Sequence, residues 1–214
     1  SEWVKCMSVS LILYAEHEFN ASTFTGRVIT GTLSDIHSAV TGAIGALRGP
    51  LHGGANEAAM ALIESFKDAD DADKGVHDMF ARKDLVMGFG HRVYKTTDPR
   101  NVIIKEWSRA YANSDEPRLT GTPAQRQNLF AIRERIESIM WNEKKMFPNA
   151  DFYHATTYHF MGIPTPLFTP IFVMSRITGW AAHIFEQRAN NRLIRPSADY
   201  VGPSLTKVVP MAAR

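Results

Sequence analysis

The segment GFGHRVYKTTDPR, residues 88–100, places an imidazole, His91, nine residues before a guanidinium, Arg100. Gly88 and Gly90 bracket an aromatic, and the Asp98-Pro99 pair fixes a turn that aims Arg100. A planar guanidinium meets a carboxylate with forked hydrogen bonds, and an imidazole on the same loop can act on the same substrate. A merely basic loop is the plainer alternative.

Three further segments set chemistry-bearing residues beside glycine, proline or a helix end. AEHEFNAST carries His17, RGPLHGGANE carries His52 between Pro50 and Gly53-Gly54, and FPNADFYH carries Asp151 at a helix start. The glycines after His52 allow close approach of backbone or substrate and open a helix whose free N–H groups favour an anion. The alternative there is a turn whose histidine caps a neighbour.

Something must hold these segments, and the apolar periodicity says helices. Trp3 to about Glu18 reads as a largely buried helix with Val4, Met7, Leu11 and Tyr14 in register. A second helix puts Leu33, Ile36, Val40, Ile44 and Leu47 on one face, with Ser34 as cap and Arg48-Gly49-Pro50 as stop. A third runs from near Asn56 through Phe66 to KDADDADKG, read as a solvated connection. Ile103, Ile104 and Trp107 mark another; Leu129, Ile132, Ile136, Ile139 and Met140 mark a long one. The prolines of IPTPLFTP precede an apolar helix from Ile171 through Trp180 to Phe185, and the chain is irregular from Asn190. Alternating strand patterns are almost absent, so the expected class is all-α.

The 214 residues are 44% apolar, enough for a proper core, and 24 basic against 22 acidic side chains leave a net charge of +2. So small a charge excludes a global field for nucleic acid or an anionic membrane. Any anion must be held by local clusters. No run approaches the roughly 20 apolar residues of a membrane span. The single Cys6 suits packing in a reducing compartment, which gives a cytoplasmic expectation, or mitochondrial matrix in a eukaryote. The absence of an initiator Met ahead of an already helical pattern reads as a cut through a longer protein.

GPLHGGANE, GFGHRVYKTTDPR, NADFYH and MGIPTPLFTPIFVMSRITGWAAH, in that order, resemble the citrate synthase family. The ending FEQRANNRLIRPSADYVGP more closely resembles its 2-methylcitrate synthase branch, in which propionyl-CoA replaces acetyl-CoA. The resemblance covers the whole chain but only the C-terminal half, or somewhat more, of a family member. It implies a two-domain helical fold lacking its N-terminal helices: residues 1–52 in a large domain, 53–165 as a smaller hinged domain, and 166–214 returning to the large domain with a C-terminal segment. Pro164 to Pro170 and the loop around His52 are the expected hinges.

The resemblance also implies roles. His52 would stabilise the enol or enolate of the acyl thioester, His91 would polarise the keto oxygen of oxaloacetate, and Asp151 would remove the thioester α-proton. His17, Arg100, Arg176 and Arg195 would join His52 and His91 around oxaloacetate, Arg195 from the partner of a homodimer. Arg92, Tyr94 and Lys95 would approach coenzyme A. No metal and no cofactor are expected, because acyl-CoA is a substrate. A weakly acidic α-proton yields to a carboxylate only when a fixed donor meets the developing enolate, and a dicarboxylate enters a dry site only against cations. Two other expectations stand beside this one: a plain acetyl-CoA citrate synthase, and a noncatalytic truncated fragment acting as an assembly module. His154 and His159, five apart, make no convincing metal pair; His37 and His77 read as surface or packing residues, and His183 as a satisfied core group.

Overall fold

The computed structural model describes residues 1–213, and within them the chain is helical with no named strand. Nine α-helices follow in order: α1 Glu2–Tyr14, α2 Ala21–Gly31, α3 Ile36–Leu47, α4 Ala55–Glu64, α5 Ala69–Arg82, α6 Pro99–Ala112, α7 Pro123–Lys144, α8 Ala150–Phe160 and α9 Phe168–Ala189. Helices α1, α2 and α3 pack against α9, while α4, α5, α6 and α8 pack around α7 or one another; α1 with α6 and α4 with α9 join the two sets.

Local chemistry sets the starts. Asp98 caps α6 by accepting the Arg100 N–H at 3.0 Å, with Pro99 in the first turn where no donor is missed. Thr122 and Gln125 exchange hydrogen bonds in a capping box at the head of α7. Asn149 caps α8 through the Asp151 N–H at 3.1 Å. Helix α8 is buried on almost every side: Phe152, Tyr153, His154, Ala155, Thr156, Thr157, Tyr158 and Phe160 all lie inside. It is the axis around which the site is built.

Four expectations need correction. KDADDADKG is not a connection: Asp68 caps α5 through the Asp71 N–H at 2.9 Å, and Asp70 and Asp71 sit in its first turn, where carboxylates favour the helix dipole. Helix α2 had no counterpart in the apolar pattern, because its threonines, glycines and β-branched residues are weak helix formers. The α3 cap is Asp35, which accepts from Ser38 N at 3.0 Å, rather than Ser34. Finally, α1 buries Cys6, Ser10 and Tyr14 and leaves Val4 exposed; α3 buries Ala39, Ala43 and Leu47 and leaves Ile44 exposed. Small side chains let α2 and α3 approach closely, as the 3.7 Å from an added Gly26 Cβ to Ala43 indicates.

Candidate active site

The His91 loop is stitched to the segment that leads into α8. Gly90 N donates to Phe147 O at 2.9 Å, Asn149 N to Gly88 O at 2.9 Å, and Asn149 Nδ2 to Gly90 O at 3.2 Å. Gly88 has φ +88°, and a Cβ there would come 2.8 Å from the Phe152 ring, so both conformation and space require glycine. Asp98, with no exposed surface, completes the link: its carboxylate takes Arg100 Nε and Nη2 at 3.0 and 2.8 Å and the Ala150 N–H at 3.0 Å. One buried carboxylate therefore fixes both Arg100 and the helix start that carries Asp151. Burial pushes its pKa up, but the Arg100 fork, the Arg100 charge and the two backbone donors outweigh that and hold it below the usual range.

These elements wall a cleft of about 1040 Å³. His17, His52, His91, Arg92, Arg100, Asp151 and Arg176 all line it. His52, His91 and Asp151 thus share one cleft, although they come from three separate segments. Arg195 is elsewhere, exposed in the extended chain after α9. Tyr94 turns inward: its hydroxyl is 3.0 Å from His17 Nε2 and its ring packs on His17 and His91. Lys95 is exposed and donates to Arg92 O at 3.3 Å.

On one wall, His17 and His91 meet edge to face with ring centroids 4.9 Å apart, and Arg100 Nη2 lies 3.4 Å from His91 Nε2. His91 Nδ1 accepts the Val93 and Tyr94 N–H groups at 3.1 and 3.3 Å. The ring proton of a neutral imidazole then belongs on Nε2, beside Arg100. Burial, then the Arg100 charge, lowers the pKa of both His17 and His91, which favours the neutral form of each ring.

His52 sits in the turn between α3 and α4. The following glycines serve backbone approach: a Cβ on Gly53 would come 2.5 Å from the Leu47 side chain, and one on Gly54 2.5 Å from Arg48 O. His52 Nε2 accepts the Ser22 N–H at 3.3 Å and lies 2.8 Å from Ser22 Oγ, which in turn accepts Trp180 Nε1–H at 3.2 Å. The Ser22 N–H can only donate, which favours a lone pair on Nε2 and the ring proton on Nδ1, with the Ser22 hydroxyl proton shared between His52 and Asn20 Oδ1, 2.8 Å away. Burial, with the Arg176 charge, brings the His52 pKa down to about 4.

Asp151 is pushed the other way. Burial raises its carboxyl to about 6, against the Tyr14 hydrogen bond and the Arg100 charge, which pull it down. Tyr14 O–H donates to Oδ1 at 2.6 Å, and its ring is stacked between His154 and Phe172, at 4.0 and 3.8 Å. Arg176 donates Nε to Tyr14 O at 2.6 Å while its buried Nη1 has no partner. A buried guanidinium with a free donor is incomplete until an anion meets it. Burial, then the charge of Arg100, lowers its pKa to about 10, and it remains a cation.

Sequence reasoning missed Ser22, Asn149 and the hydroxyl role of Tyr14, and saw in Asp98 the turn that aims Arg100 but not its bond to the start of α8. Asp98 had a visible signal in the Asp-Pro turn; Ser22 and Tyr14 had none beyond lying near His17. His154 is fully buried, its Nδ1 2.7 Å from Ala150 O, and its pKa is held down near 3 by burial; it is a core residue. His159 faces Glu64 at 3.4 Å, and no group of three metal-ligating side chains occurs among the described residues. His77 is an exposed partner of Glu143 and Asp73, and His183 is satisfied by Glu16 and Arg27.

Among the described residues, an all-helical chain sets a carboxyl, imidazoles and an unsatisfied guanidinium donor around one cleft, an arrangement that can move a proton beside an anion. The family described as "Citrate synthase, C-terminal domain" matches residues 1–197, and the chain belongs to the citrate synthase family. The 2-methylcitrate synthase of Shewanella oneidensis is 61% identical over 98% of this chain and 54% of its own length. Citrate synthase 2 of Bacillus subtilis is 50% identical over 99% of this chain and 54% of its own. Citrate synthase from Thermoplasma acidophilum, in a ternary complex with carboxymethyl coenzyme A and oxaloacetate, superposes with TM-score 0.90 at 40% identity, over all of this chain and 56% of that one. The chain spans about half the length of the curated relatives it matches.

Proposed function

We propose that the cleft condenses an acyl-CoA with oxaloacetate and then hydrolyses the thioester, with propionyl-CoA as the acyl donor and 2-methylcitrate and CoA as products. The observation that carries this reading is the joint lining of one cleft by His52, His91 and Asp151 with the guanidiniums of Arg100 and Arg176. Asp151 takes the α-proton, the C–H pair becomes the enol double bond, and the thioester oxygen receives a hydrogen bond from His52 Nδ1. His91 Nε2–H and its neighbour Arg100 polarise the keto oxygen of oxaloacetate, so the enol carbon attacks the ketone. His17, Arg100 and Arg176 hold the dicarboxylate, with His52 beside it on the thioester, and water then cleaves the thioester and releases CoA as the thiol. No cofactor enters this scheme, since acyl-CoA is consumed as a substrate.

The base needs an ionised carboxylate, and a pKa near 6 leaves Asp151 both basic enough to act and ionised at neutral pH. His52 meets the enolate as a neutral donor, which avoids desolvating a full charge. Of Arg92, Tyr94 and Lys95, exposed Arg92 lines the same cleft, which supports it as the CoA contact of that group. Similarity to the Shewanella oneidensis relative supports the three-carbon donor.

Exposed Phe24, Ile44, Ile177 and Phe185, on α2, α3 and α9, support a homodimer, and exposed Arg195 is available to a partner's site. The helices of residues 53–165 move as a smaller domain against the rest, with the short 3₁₀ turn Thr165–Leu167 as one hinge. Free, buried Cys6 supports a cytoplasmic setting, and no helix among the described residues is long and apolar enough to cross a membrane.

The test compares CoA-thiol release from propionyl-CoA and acetyl-CoA with oxaloacetate, in this chain and in a chimera that joins it to the N-terminal half of the Shewanella oneidensis relative. Faster release from propionyl-CoA is expected. Preference for acetyl-CoA would replace the reading by plain citrate synthesis, and release in neither protein would leave a noncatalytic assembly module.

A further inference from the structure

Tyr14 was read from sequence only as a core position of α1, and its ring does lie in the core. Its hydroxyl does something else. It crosses from α1 to α8, 137 residues along the chain, and donates to Asp151 Oδ1 at 2.6 Å. Stacking between His154 and Phe172 fixes the ring, and Arg176 Nε on Tyr14 O fixes the backbone that carries it. A phenol so held can point at only one oxygen of the carboxyl group. Asp151 N binds the Asn149 side chain, and Oδ2 has no hydrogen bond among the described residues.

We propose that Tyr14 is a positioning residue for Asp151: its hydroxyl occupies Oδ1 and fixes the carboxyl rotation, leaving the Oδ2 lone pair to face the thioester α-carbon. This rests on the condensation reading above. In the step it serves, the α C–H bond breaks and the proton goes to Oδ2. The C–H electron pair becomes the enol double bond, and the carbonyl π pair moves onto the oxygen met by His52. Tyr14 keeps its own proton throughout: burial first, then the Asp151 charge, holds the phenol well above its ordinary range. It therefore donates to Oδ1 whether Oδ2 is bare or protonated.

The charged and titratable groups around Asp151 come from every neighbouring element. Tyr14 approaches from α1, Asp98 and Arg100 from the head of α6, Arg176 from α9 and Tyr158 from α8 itself. Arg100 and Arg176 favour the carboxylate and Asp98 opposes it. Tyr14 is the neighbour that hydrogen-bonds it directly, so removing the hydroxyl alone isolates the contribution.

Tyr14→Phe keeps the stacked ring and deletes the donor. With the Asp carboxyl carbons labelled with carbon-13, the Asp151 titration read by NMR should move up by about one to two pH units, the size of a hydrogen bond to a charged acceptor. Incorporating 3-fluorotyrosine at position 14, a stronger donor, should move it down. The pH profile of α-proton exchange of acyl-CoA should shift its acid limb with the titration, with a lower limiting rate and unchanged oxaloacetate affinity. An Asp151 titration that is unmoved, or moved the same way by both changes, overturns the proposal. Absence of exchange in the unmodified protein and chimera would instead overturn the condensation reading, since the NMR titration needs no turnover. Should Tyr14→Phe fail to fold, the fluorotyrosine arm alone decides.

Discussion

Ser22 Oγ lies 2.8 Å from His52 Nε2, and the Ser22 N–H reaches the same nitrogen, so one residue at the head of α2 fixes the ring that faces the cleft. Burial and the Arg176 charge bring the His52 pKa to about 4. His52 should therefore remain neutral from pH 5 to 8, with its proton on Nδ1. Nitrogen-15 NMR of the imidazole reads both properties directly. An imidazole that titrates near 6.5, or that carries its proton on Nε2, would contradict the assigned role. Ser22→Ala retains the backbone donor but strips Trp180 Nε1 of its acceptor, and should cost about 1–3 kcal/mol in urea unfolding.

Asp151→Asn should abolish α-proton exchange while leaving oxaloacetate binding largely intact, because Arg100 and Arg176 remain. It should also stabilise the fold at neutral pH. A carboxyl raised from 3.8 to about 6 by burial favours the protonated form in the folded state. Stability is then present in full below the unfolded pKa and is lost as pH rises through the folded one. The difference, about 2 pH units, corresponds to up to about 3 kcal/mol above pH 7. Thermal unfolding of both proteins at pH 5 and pH 8 should show the variant's advantage growing at the higher pH. Equal advantage at both would mean the carboxyl is not strained by burial.

Much of this arrangement was legible in the sequence, for identifiable reasons. The long α7 stripe is real: Ile132, Ile136, Ile139 and Met140 are buried as their spacing required. His52, His91, Arg100 and Asp151 stood out because glycine, proline and capping residues mark the places where a chain turns to aim a side chain. Helix α2 was hidden because its stability comes from packing on α3 and α9 and from the Asn20 cap, none of which leaves a hydrophobic period. With α2 hidden, Ser22 was hidden too. Tyr14 has an apolar-looking position in α1, and nothing in local spacing says that its hydroxyl meets a carboxylate on α8. Contacts between distant segments are fixed by packing, which periodicity alone does not resolve.

Asp98 predicts the largest structural penalty. Its buried carboxylate neutralises Arg100 and accepts the first N–H of α8. Asp98→Ala leaves a mostly buried guanidinium unpaired and should cost about 3–5 kcal/mol, measured by urea unfolding. Its depressed pKa gives stability that is present above the unfolded value of 3.8 and lost as pH falls through the folded one. The penalty should accordingly shrink in acid. A variant as stable as the parent at pH 7 would mean that Arg100 finds another anion within the fold.

Gly179 tests how α9 holds the loop that carries His17. Its N–H donates to Ala15 O at 3.2 Å, Arg176 Nε donates to Tyr14 O, and His183 Nε2 lies 2.9 Å from Glu16 Oε1. The end of α1 is thus laid directly on α9, in contact with its backbone. A Cβ on Gly179 would come 2.5 Å from Ala15 O and 3.2 Å from Glu16 Cα, so the loop itself, rather than a flexible side-chain end, must move. Overpacking of this kind costs about 1–3 kcal/mol. Because His17 follows Glu16 directly, Gly179→Ala should also weaken oxaloacetate binding about tenfold in titration calorimetry, the loss of roughly one hydrogen bond's worth of alignment. Gly45→Ala serves as the control: an added Cβ there meets nothing within 4 Å, and replacing a helical glycine should stabilise α3 by about 0.5–1 kcal/mol without touching the ligand. If Gly179→Ala loses stability but binds oxaloacetate as tightly as the parent, the α1–α9 junction supports the fold alone, and His17 is held from the Tyr94 side.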